Sequence, residues 1–106
     1  MDRIKRINDL IELPKQGILS KTVFEGESME TDLFMLPKEE KISAHTSSRD
    51  ATVLILRGAA EFTLGTETYE VKTGDWLFME AGLGHALNAT EDLVFLLTLV
   101  ASGVRD

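Results

Sequence analysis

The chain contains no cysteine, so disulfides, thiolate metal centres and cysteine nucleophiles are all excluded, and any metal site must use nitrogen and oxygen. Histidine is nearly as scarce: His45 and His85 are the whole supply of imidazole. Lysine and arginine together number 11 against 18 aspartates and glutamates, a net charge of −7 that argues against a phosphate backbone as partner. No apolar run approaches the roughly 20 residues of a membrane helix, so neither a span nor an anchor is expected. The basic start, Met1 to Arg6, is not followed by an apolar segment of signal-peptide length, and cytoplasmic residence is the default expectation. Phosphate-binding glycine loops, nucleophile elbows, internal repeats and low-complexity linkers are also missing. With 106 residues, there is room for one core and one domain.

What the chain does have is strand alternation punctuated by turn residues. Ile18 to Phe24, Met29 to Leu36, Ile42 to Thr46, Ala51 to Arg57, Ala59 to Leu64, Glu67 to Lys72, Trp76 to Met79, His85 to Thr90 and Leu93 to Val100 each read as a short strand. Gly65-Thr66 joins two of them as a hairpin, and Gly58, Gly74 and Gly82 mark further turns. Eight or nine short strands at this spacing predict an all-β sandwich or barrel. Near the start, Ile4, Ile7, Leu10 and Ile11 recur at intervals of three and four, which predicts a short amphipathic helix or an edge strand ended by Pro14. Phe34, Phe62, Trp76, Phe78 and Met79 follow strand alternation and are expected mostly in core and cover.

The strand Ala51 to Arg57 is apolar on both faces and is expected to be covered on both. In the last strand, Leu93, Phe95, Leu97 and Leu99 point one way, and Val94, Leu96, Thr98 and Val100 the other. One set fills the barrel; the other needs cover. A homodimer is the expected cover, with the segment Ile4 to Leu13 as the alternative.

The stretch Gly74 to Asn88 places His85 at the start of a strand after a double-glycine turn. Its spacing resembles the second motif of the cupin superfamily: Gly74, Gly82 and His85 match, while Glu80 stands for the proline and Ala89 for the asparagine. The first motif matches at His45 and Gly58; Glu39 stands for its first glycine, Ser47 for its second histidine and Ala51 for its glutamate. Upstream, Gly17 to Thr22, and downstream, Leu96-Leu97-Thr98, add to a likeness with small single-domain cupins of the conserved-barrel type. The resemblance implies a cupin barrel, the jelly-roll-like double-stranded β-helix. It also implies one domain over residues 1–106, with an arm or short helix over 1–16 and the barrel core over 42–100. The same resemblance implies that the lost ligands are a trait of the group.

Two imidazoles retained from a four-ligand set make His45 and His85 the candidate ligand-binding residues, with Thr46 and Ser47 as hydroxyl donors near the same mouth. No cofactor follows from the residues. His45 and His85 are also the candidate metal ligands, able to take one divalent transition metal (Zn, Ni, Fe, Mn or Cu) if a third ligand is supplied. Asp50 is one residue off the glutamate position, on the opposite strand face unless a bulge intervenes. Three functions compete. The first is a module binding a small polar or anionic molecule in the barrel. The second is an enzyme, either a metal-dependent isomerase or dioxygenase or a metal-free acid/base catalyst using one imidazole. The third is a structural or regulatory dimer whose pocket is vestigial.

Overall fold

The computed structural model describes residues 2–101. A single helical turn, α1 (Ile7–Leu10), precedes nine strands: β1 (Leu19–Glu25), β2 (Met29–Leu36), β3 (Lys41–His45), β4 (Ala51–Arg57), β5 (Ala59–Leu64), β6 (Glu67–Lys72), β7 (Trp76–Met79), β8 (His85–Ala89) and β9 (Leu93–Val100). All neighbouring strands are antiparallel, in a five-stranded sheet ordered β1-β2-β9-β4-β7 and a four-stranded sheet ordered β3-β8-β5-β6. This is the all-β, two-sheet barrel that the turn spacing predicts and that the resemblance implies. Gly58, Gly74 and Gly82 all have positive φ, which is why glycine stands at these turns.

The two sheets face each other across one core. Alternate residues of every strand point inward, so Leu36, Val53, Ile55, Phe62, Leu87, Leu93 and Phe95 meet between the sheets and exclude water. A second, smaller cluster lies on the outside of the five-stranded sheet. There Ile7, Leu10 and Ile11 pack on Leu33, Met35 and Val94. The N-terminal segment thus covers part of that face, but as a mostly extended strap. Arg6 supplies no capping side chain and the helix stops after four residues, too few to sustain itself.

Within one chain the outer side of β4 is covered in part, for Leu54 there is 36% exposed. Phe34, Phe62 and Met79 pack in the core, as the alternation predicts, while Trp76 and Phe78 stand outward on the edge strand β7, 61% and 46% exposed. Alternation fixes that they share a face with Leu54, whose partner in the register is Trp76. It does not fix that anything covers that face.

Candidate functional site

Strand β3 carries a β-bulge that decides the geometry of the site. Ile42 pairs with Leu87 and His45 pairs with His85, so three steps on β3 oppose two on β8. In a regular strand Ile42 and His45 would point to opposite faces; the extra residue reverses the parity and turns His45 to the side on which His85 stands. The two rings meet edge to face, with centroids 4.1 Å apart and planes at 67°.

Each ring is held by its own strand entry. His45 Nδ1 lies 2.9 Å from the Ser43 carbonyl oxygen, and His85 Nδ1 lies 3.1 Å from that of Leu83. A carbonyl oxygen only accepts, so both Nδ1 atoms carry the proton and donate it. In the neutral ring the lone pair is then on Nε2. Burial is the largest influence on His85 and lowers its pKa from 6.5, the charge on His45 acts in the same direction, and the Leu83 carbonyl opposes both. Near neutral pH the half-buried His85 is therefore an uncharged acceptor.

Behind the pair lies a cavity of about 230 Å³ between the sheets. Its remaining lining is apolar, from Ile18, Phe34, Ile42, Val53, Phe62, Met79, Leu87, Phe95 and Leu97. Larger depressions exist elsewhere, but neither imidazole lines them. Thr46 and Ser47 do not line the cavity. Thr46 is exposed, while the Ser47 hydroxyl accepts the Arg49 N–H at 3.1 Å and its carbonyl accepts the Gly82 N–H at 2.8 Å. Of the four residues picked from the chain, the fold gathers the two histidines and uses Ser47 in a turn.

Strand β2 brings in two residues that sequence reasoning passed over. Asp32 pairs with Leu97 and Glu30 with Leu99, both on the inner face of the five-stranded sheet, so the two carboxylates stand on the cavity side of β2. A hydrogen bond with Asp32 is the main cause that raises the Glu30 pKa from 4.5; the charges of Asp32 and Glu25 add to it, and Arg49 opposes. The alternation Glu30, Asp32, Phe34, Leu36 was a signal that could have found them.

The donor set does not fit a metal centre of the ordinary kind. Ala51 supplies a methyl where the glutamate ligand is missing, and Asp50 Oδ1 accepts the Ala81 N–H at 2.8 Å, tying it to the β7–β8 turn. Among the described residues no three of His, Asp and Glu stand close enough to hold one ion. Two nitrogens alone leave half of a tetrahedral site to other ligands.

Residues 32–100 match the family described as Cupin domain. A conserved protein of unknown function from Streptococcus pyogenes, SPY1581, is 34% identical, with a TM-score of 0.83 over 94% of this chain and 88% of that one. An uncharacterized protein of Aquifex aeolicus is 29% identical over 90% of this chain and 83% of its own length. A cupin superfamily protein from Desulfitobacterium hafniense, 23% identical, shares the fold with a TM-score of 0.84 over 94% of this chain and 92% of that one.

Proposed function

The chain belongs to the cupin family, and on that footing we propose that it is a binding module for a small molecule held between the sheets, with His45 and His85 fixing its polar part. The observation that carries this is the cavity itself: apolar on every side except where the two imidazoles meet. Sites of this make-up, mostly apolar with a few convergent polar groups, bind small ligands and orient them. A volume of about 230 Å³ is small for a cofactor and suits a fragment of about ten heavy atoms, given that an apolar cavity of about 150 Å³ takes up benzene. The test is xenon under pressure, followed by amide shifts. Changes centred on Phe34, Phe62 and Phe95 that vanish in Val53→Phe support the module, and no change at those residues rejects it. The metal-enzyme reading is weaker, because the third and fourth ligands are missing; near-stoichiometric metal in the parent and none in a His45→Ala, His85→Ala double variant would restore it.

A second reading concerns assembly, and a specific feature favours it. Two outward rows run across β2, β9, β4 and β7, Leu33-Leu96-Leu54-Trp76 and Thr31-Thr98-Thr52-Phe78, and neither contains a charge until the first reaches Lys21 on β1, which pairs with Glu12. In a chain of net charge −7, an uncharged patch is where two copies approach with least repulsion, and a two-fold axis makes one patch its own complement. A second copy is the occupant we assign to the uncovered half. Sedimentation at micromolar concentration should give twice the 11.8 kDa chain mass, and Trp76→Glu should return the monomer; a parent mass of 11.8 kDa sinks the assignment.

A further inference from the structure

We infer that the ligand of the barrel cavity is a compact, uncharged molecule that donates a hydrogen bond to the two imidazoles, an apolar body bearing one hydroxyl. The inference rests on the binding module proposed above and names what the module selects. Its first support is the tautomer. Both Nδ1 protons are given to main-chain carbonyls, so each neutral ring offers its other nitrogen as an acceptor and has no second N–H to give. Among the described residues neither Nε2 has a protein partner, and no other side chain lining the cavity carries a hydrogen-bonding nitrogen or oxygen. The hydrogen-bonding atoms that the lining side chains leave without a protein partner are therefore both acceptors, so a ligand reaching the rim of the chamber finds partners for a donor and none for a second acceptor.

The second support is the distribution of charge, which separates a neutral donor from an ion of either sign. A charged molecule of either sign would leave water for a chamber on which, among the described residues, no Asp, Glu, Lys or Arg side chain stands. A hydroxyl does not incur that cost. The small polar or anionic ligand expected from the chain alone is thus narrowed: the polar part is one neutral donor, and most of the remaining surface is apolar.

Four probes of one size make the test: phenol, toluene, benzoate and benzylamine, titrated at pH 8 while amide shifts are followed. Phenol should bind about ten-fold more tightly than each of the other three, the worth of one well-placed hydrogen bond. In His85→Leu, whose fold is checked by the same spectrum, phenol should fall to within about two-fold of toluene, and His45→Leu at the exposed rim provides an independent variant. Equal binding of phenol and toluene to the parent overturns the inference while keeping the module, as does benzoate or benzylamine binding most tightly. Failure of all four to shift the cavity residues overturns the module itself.

Discussion

The two ends of the barrel are built on different terms. At one end the β4–β5, β6–β7 and β8–β9 turns are tied together by main-chain bonds, Thr73 N–H to Gly58, Thr90 N–H to Ala59 and Gly74 N–H to Ile55, over a filled interior of Leu36, Ala60, Ala89 and Leu93. At the other, the inner positions hold His45, His85, Asp32 and Glu30, and space is left between the sheets. The closed end spends its residues on packing; the open end keeps polar groups that an efficient core would discard. The family motifs divide between architecture and site: Gly58, Gly74 and Gly82 stand at their turns, with Glu39 in place of the fourth glycine, whereas the metal ligands of the open end are half gone. Architecture and site are therefore separable in this chain. Substitutions can be chosen to strike one and spare the other.

The largest effect is expected at Gly58. Its φ is +86, and a Cβ added there would sit 1.8 Å from the Asp92 carbonyl oxygen, so an alanine meets both the left-handed backbone and the neighbouring turn. Gly58→Ala should cost about 3 kcal/mol or more, the left-handed penalty with overpacking added to it. At the open end Gly82 has a φ of +87 with nothing within 4 Å of the added atom. Gly82→Ala should cost about 1 to 2 kcal/mol, from backbone strain alone. Urea unfolding of the pair checks the contrast, and equal losses would erase the distinction between the ends.

Side-chain truncation is the next measure. Leu36 is fully buried at the closed end, so Leu36→Ala leaves a new cavity and should cost about 3 kcal/mol. Leu97 is only partly buried and already borders empty space. Leu97→Ala should cost about 1 kcal/mol, because little contact is lost when a wall of an existing cavity recedes. Comparable denaturation midpoints for the two variants would mean that the cavity is filled by rearranged side chains.

Much of the closed end was legible in the chain and much of the open end was not, for a physical reason. Strand period and positive-φ glycines are local, so Ala51 to Arg57 and Leu93 to Val100 could be delimited from neighbours in sequence alone. A bulge is a relation between two strands. Nothing in Lys41 to His45 announces that the parity reverses between Ile42 and His45, yet the meeting of the two imidazoles depends on it. Cover is also non-local: the N-terminal apolar residues could dock on any face, and alternation alone could not say that Trp76 and Phe78 stay exposed. Nearness in sequence to His45 points to Thr46 and Ser47 as donors, but the turn takes Ser47 for its own hydrogen bonds.

One substitution should stabilise. Glu39 occupies the place of the first motif glycine and has a φ of +79, while its N–H still donates to the Ala89 carbonyl at 2.7 Å. The fold has kept the left-handed turn after losing the residue that adopts it freely. Glu39→Gly should relieve the strain and raise stability by about 1 kcal/mol, net of the added freedom of the unfolded chain. A loss of stability would mean that the Glu39 side chain contributes more than its backbone costs.

The smallest expected effect is a displaced titration, and it probes the open end most directly. Burial lowers the pKa of His85 from 6.5, with the charge of His45 adding to the shift and the Leu83 carbonyl opposing it. Proton or nitrogen resonances of the ring should therefore give a midpoint below 6.5, and His45→Gln should raise it part of the way back, because burial remains when the neighbouring charge is gone. The sign carries over to folding. The unfolded chain takes up a proton at His85 near pH 6.5 while the folded chain resists until lower pH. The stabilisation is thus complete above about 6.5, declines as pH falls to the folded midpoint, and is constant below it. His85→Gln should flatten that part of the stability profile. A midpoint at or above 6.5 would place the ring in water, and the open end would then be a shallow surface rather than the mouth of a cavity between the sheets.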